Sequence, residues 1–175
     1  DRRSDWPWTL PGVEVVEARA FLTRPPRGAS RTPVWSFATR IGYQRTGYYV
    51  ALLAEARSHR VWPDVGTIQV LKSRSHRRTL LERIGSAAAA ELAAHDDDSV
   101  RLRLFFGVPL RHRGLAQLGR ELFERLPVPG FEVALEKRES GWEVRGIDLL
   151  DLTALTDADR KAAEAIVRQQ VAHPT

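Results

Sequence analysis

The chain has 175 residues, 43% hydrophobic and 28% charged, with 27 Lys/Arg against 22 Asp/Glu and a formal net charge of +5. That length suits one domain with its own core, and no apolar run approaches the roughly 18–20 residues that cross a bilayer. The absence of cysteine excludes disulfide, thiol and thiolate-metal chemistry, so a cytoplasmic setting is expected. The first ten residues carry no apolar core of a secretory signal. With no methionine, even at position 1, the sequence begins after processing or is a segment of a longer chain. Charge is unevenly spread: residues 40–83 hold Arg40, Arg45, Arg57, Arg60, Lys72, Arg74, Arg77, Arg78 and Arg83 against Glu55, Asp64 and Glu82 alone.

Residues 1–12 combine turn and breaker residues without periodicity, so an irregular arm anchored by Trp6 and Trp8 is expected, followed by a single domain over residues 13–175. Val13 to Leu22 reads as a first strand and Thr23 to Pro33, with its prolines, as a loop. Val34 to Ala38 is short and apolar on both faces, as in a central strand. A helix is expected from near Tyr43 to Arg57 or Ser58, and Val61-Trp62 resumes as a strand. Strand, helix, strand over residues 34–63 predicts a βαβ unit with parallel strands. Gly47 falls inside the helical pattern at a cost of roughly 1 kcal/mol against alanine, which close packing or a ligand would explain.

Thr67 is placed to cap a short helix through Leu71, and a longer helix is expected from Ser75 to Ala94. Its first turn holds His76, Arg77 and Arg78 at the positive helix end, unfavourable without an anion nearby. His95 to Ser99 reads as a polar loop whose three aspartates lack further ligands at coordinating spacing, so no metal site is assigned. Val100 to Phe106 alternates as a strand, Leu115, Leu118, Leu122 and Leu126 mark a helix ended by Pro127, and Phe131 to Lys137 alternates again. Glu139-Ser140-Gly141 closes a hairpin whose return strand carries a bulge at Gly146, and Thr156 opens a last helix. The fold class is therefore α/β or α+β: a mixed β-sheet with a βαβ unit, a C-terminal hairpin and flanking helices.

The turn between the second strand and its helix concentrates the chemistry, and all three tyrosines lie in it. Arg40, Arg45 and Arg57 offer bidentate forks, Tyr43, Gln44 and Tyr48 offer neutral hydrogen bonds, and a helix start adds backbone N–H groups. These six are the candidate ligand residues for a carboxylate or phosphate. Lys72, Arg74, Arg77 and Arg78 form a candidate basic surface. No catalytic residue is assigned: the five histidines show no H-x-x-x-H or H-E-x-x-H pair, and there is neither a G-x-S-x-G elbow nor a P-loop.

The run Gly47-Tyr48-Tyr49-Val50-Ala51-Leu52-Leu53-Ala54-Glu55-Ala56-Arg57, with Tyr43-Gln44 before it and His59-Arg60-Val61, Pro63 and Thr67-Ile68 after it, resembles the N-terminal domain of RimK-like ATP-grasp ligases. The resemblance covers residues 43–71 and departs from the family pattern at Ser58, where glycine is usual, and at Arg45, where a small residue is usual. It implies an accessory or recognition domain beside a ligase that joins carboxylate to amine through an acyl phosphate. ATP and magnesium are then expected of the ATP-grasp domain, in cis or in trans, and no cofactor in this chain. It also implies that this chain has no ligase activity of its own and binds a carboxylate or peptide substrate, or the ligase domain. Two readings compete: electrostatic nucleic-acid binding through Arg74, Arg77, Arg78, Arg83, Arg101, Arg103, Arg111 and Arg113, and a small standalone enzyme with a tight cluster of perturbed titratable groups.

Overall fold

The computed structural model describes residues 2–25 and 32–172. Helices α1 (Ala18–Thr23), α2 (Thr46–Ala56), α3 (Val65–Lys72), α4 (Arg74–Thr79), α5 (Ser86–Ala93), α6 (Ala116–Arg125) and α7 (Asp157–Ala172) surround two sheets. Strands β1 (Pro33–Trp35) and β2 (Arg60–Trp62) pair in parallel. Strands β3 (Ser99–Phe105), β4 (Val108–Pro109), β5 (Gly130–Arg138) and β6 (Gly141–Leu149) form an antiparallel sheet in the order β4-β3-β5-β6. The βαβ unit and the C-terminal hairpin stand as the sequence predicts, and parallel and antiparallel pairing belong to separate sheets.

The antiparallel sheet follows from strict alternation. Val100, Leu102 and Leu104 are buried on β3 opposite Leu135, Val133 and Phe131 on β5, while Arg101 and Arg103 point away. On β6 the ladder runs from Val144 opposite Leu135 to Gly146 opposite Ala134, so the extra residue is Arg145, beside the predicted Gly146. That single insertion keeps Val144 and Ile147, three residues apart, on the core side. Leu118 and Leu122 of α6 and Ala88 and Leu92 of α5 close this core.

Helices α5 and α6 cap one another. The Glu91 carboxylate on α5 accepts from the Gln117 and Leu118 amides at the start of α6, at 3.0 and 2.8 Å. Glu121 on α6 accepts from the Gly85 amide at the start of α5, at 2.7 Å. This bond first, then one from Gln117, holds the Glu121 carboxyl below its ordinary range. The contact also corrects the predicted Ser75–Ala94 helix, which is two helices with a break at residues 80–85. Gly85 favours a cap over a helix interior, and a Cβ there would stand 3.0 Å from Glu121 Oε1.

The predicted first strand is also corrected. Residues 13–17 join neither a helix nor a ladder, and Ala18–Thr23 turns into α1. Phe21 of α1 packs into the cluster formed by Ala51, Ala54, Val61 and Ile68, so tertiary burial selects the helix. The arm packs as expected: Trp8 is buried, Trp6 stands edge-on to it at 4.8 Å, and Trp6 meets Phe37 at 5.3 Å. Of the predicted Thr23–Pro33 loop, residues 26–31 lie outside the described residues, Thr23 belongs to α1 and Pro33 opens β1.

Candidate functional site

Beyond the C-terminal end of β1 the chain runs through residues 36–45 into α2, the place where open α/β units take ligands. Gln44 adopts φ 61° and the Arg45 amide bonds the Gly42 carbonyl at 2.8 Å, so this segment is a turn. The helix therefore begins at Thr46, three residues later than predicted, and leaves Tyr43 outside it at 72% exposure. Tyr43, Tyr48 and Tyr49 follow edge to face at 5.6 and 5.8 Å. Gly47 is explained by packing: a Cβ would meet Ile41 Cγ2 at 2.9 Å and Ala38 Cβ and the Arg40 carbonyl oxygen at 3.0 Å.

The six candidate residues divide between two places. Arg40 and Arg57, with Thr46, line a groove of about 1090 Å³ between the N-terminal arm, α1, β1 and the end of α7. Tyr43, Gln44, Arg45 and Tyr48 are not among the groove's lining residues. Arg45 instead approaches Lys72, whose ammonium and the Arg45 Cγ lie 2.8 and 3.1 Å from where a Gly42 Cβ would stand. Arg57 has a structural task. Its guanidinium donates to the Phe21 carbonyl at 3.2 Å and to the Arg24 carbonyl, and stacks over the Phe21 ring at 5.3 Å. It satisfies the last carbonyls of α1.

Arg40 differs. It is exposed on the groove and has no ion pair or side-chain hydrogen bond among the described residues, and the same is true of the Arg19 guanidinium. The groove's other walls come from places the linear pattern could not join, including Val13, Val16, Trp35, Phe37 and Val171. Their apolar character was legible, but residues 13 and 171 meet only through the tertiary fold.

Four residues were expected to form a basic surface. Lys72, Arg74 and Arg78 are exposed, Arg77 is half-buried, and none has an ion pair among the described residues. Ser73 caps α4 by accepting from the His76 amide at 3.4 Å. The other arginines considered for nucleic acid are largely occupied. Arg103 bonds Glu132 at 2.8 Å and Asp159 at 3.2 Å, Arg111 bonds Asp159 at 2.8 Å, and Arg101 bonds Glu132 at 2.9 Å. Burial raises the Asp159 and Glu132 carboxyls, but bonds from Arg111 and Thr156 to the first and from Arg103 and Arg101 to the second hold both below the ordinary range. These shifted groups, with Glu121, tie elements together and do not line the groove.

Among the described residues, no three His, Asp or Glu side chains come together in a cluster that could hold a metal ion. No helix among the described residues is long and apolar enough to cross a membrane.

A two-strand parallel unit joined to a four-strand antiparallel sheet, with a groove beside β1, defines a small mixed α/β domain. The model of the RimK-like ATPgrasp N-terminal domain family matches residues 18–165, and the chain belongs to that family. The match extends the 43–71 resemblance over both sheets and into α7. No curated protein and no solved structure matches the chain.

Proposed function

We propose that this is an accessory or N-terminal recognition domain of an ATP-grasp amide or peptide ligase system, holding a carboxylate or peptide substrate in the groove beside β1. The ATP-grasp partner supplies ATP, magnesium and the ligation. The observation that carries this reading is Arg40: a guanidinium without a partner among the described residues, in the segment that follows β1, on a groove large enough for a peptide, in a chain of this family. Calorimetry of the chain, alone and with the ATP-grasp domain, against amino acids, acidic peptides and ATP tests it. Peptide or amino-acid carboxylates are expected to bind, with Arg40→Ala weakening them and Tyr43→Phe, outside the groove, leaving affinity unchanged. Binding that ignores Arg40→Ala, or no binding by ligand or ligase domain, would sink the reading.

Lys72, Arg74, Arg77 and Arg78, without ion pairs among the described residues, favour a second reading, electrostatic nucleic-acid binding. It predicts sequence-independent affinity for RNA or DNA that falls steeply between 50 and about 200 mM salt. Salt-insensitive or undetectable binding excludes it.

A further inference from the structure

Two facts about the groove concern backbone. Nine consecutive residues, 32–40, line it, as do residues 12–16. β1 itself contributes all three of its residues, Pro33, Val34 and Trp35. β1 pairs only with β2 among the described residues. The Ser36 amide bonds the Trp62 carbonyl at 2.7 Å, and Val34 stands opposite Val61. By the alternation of a parallel ladder, Val34 and Ser36 turn their backbone groups to β2, while the N–H and C=O of Trp35 and the N–H of Phe37 turn away from it.

The second wall is the segment that reads as a strand in the sequence but has no ladder in the fold. Val13, Val15 and Val16 are half-buried and lie in no helix or ladder, and β-branched residues favour extended pairing. No backbone hydrogen bond is made by the Val15 or Val16 amide among the described residues. Groups of this kind lose free energy unless they are hydrated or paired. Arg40 and Arg19, without a partner among the described residues, bring the groove to five arginines against Asp5, Glu14 and Asp151.

We propose that the groove takes an extended peptide as an added strand against the edge of β1 that is unpaired among the described residues and beside residues 12–16, with an acidic side chain or terminal carboxylate at Arg40. The proposal rests on the substrate reading above and specifies its class. Backbone pairing gives affinity with little dependence on sequence, and the guanidinium sets the end of the peptide. The positive charge selects an acidic peptide over a neutral or basic one.

The probe is a pool of N-acetylated hexapeptides with a free C-terminal glutamate and the other positions randomised. Peptides retained by the chain are resynthesised with N-methyl groups on alternate residues, in each of the two phases. Hydrogen exchange is expected to slow at the Trp35 and Phe37 amides, one N-methyl phase to weaken binding about tenfold or more, and the other to leave it intact. Arg40→Ala weakens every retained peptide. Equal tolerance of both phases, or protection that spares Trp35 and Phe37, overturns the added strand. If N-acetylglutamate binds as tightly as the peptides, the strand is overturned and carboxylate recognition survives. If neither binds, both fail.

Discussion

Replacing Asp159 by alanine tests how the hairpin sheet and α7 are held together. Asp159 is 1% exposed, and its carboxylate accepts from Arg103 Nη1 at 3.2 Å and from Arg111 Nε and Nη2 at 2.8 and 3.3 Å. Its backbone amide is capped by Thr156 Oγ1 at 3.2 Å, and Arg103 continues to Glu132. One carboxylate therefore joins β3, the turn before α6 and the start of α7. Breaking a fully buried pair costs about 3–5 kcal/mol. Here the Arg103 and Arg111 side chains are 36% and 57% exposed and rehydrate in part, so the expected loss is about 2–3 kcal/mol. Urea unfolding followed by tryptophan fluorescence measures it, and with a typical stability of about 5–15 kcal/mol the variant still folds. A cycle with Arg111→Ala should return a coupling of about 1 kcal/mol. Glu164→Ala, which breaks the exposed pair with Arg168, should cost no more than about 0.5 kcal/mol. If Asp159→Ala costs as little as Glu164→Ala, the network does not hold these elements and the reasoning is refuted.

The same carboxylates set a pH dependence. Asp159 and Glu132 are lowered in the folded state, so below neutrality the unfolded chain binds more protons. Their contribution is present above the unfolded pKa of about 4 and is lost as pH falls through the lower folded values. Unfolding free energy should decline from pH 6 toward pH 3, and Asp159→Asn should flatten that slope; an unchanged slope would contradict the assignment. Gly47→Ala pits a helix-propensity gain of about 1 kcal/mol against contacts of 2.9–3.0 Å with Ile41, Ala38 and a carbonyl oxygen. Because one obstacle is backbone, a net loss of about 1–2 kcal/mol is expected in thermal melts, and a stabilised variant would mean that the turn gives way. Ser58→Gly should stabilise by about 0.5–1 kcal/mol, since Ser58 holds φ 62° at the end of α2; a loss in urea titrations would reveal a contact by Ser58 that offsets the strain.

The sequence by itself determined what depends on local pattern. Alternation on Val100 to Leu104 and Phe131 to Leu135 placed the antiparallel strands, because a period of two admits one buried face. The Gly47 to Arg57 run located α2 and named the family, and Thr156 announced α7. Tertiary structure alone decided the rest. Val13 to Leu22 puts its valines at 13, 15 and 16 and its helix formers Ala18, Arg19, Ala20 and Leu22 after them, and the helix won where Phe21 met the βαβ core and Arg57 reached the last carbonyls of α1. Ser75 to Ala94 looks continuous until Glu121, 36 residues beyond Gly85, claims the amide at its break. The candidate site divided for the same reason. Arg40 and Tyr43 are neighbours in sequence, but the turn at Gln44 leaves Arg40 on the groove and Tyr43 outside it. The other groove walls come from the arm and the last helix, whose meeting is fixed by burial across the whole chain and leaves no trace in local spacing.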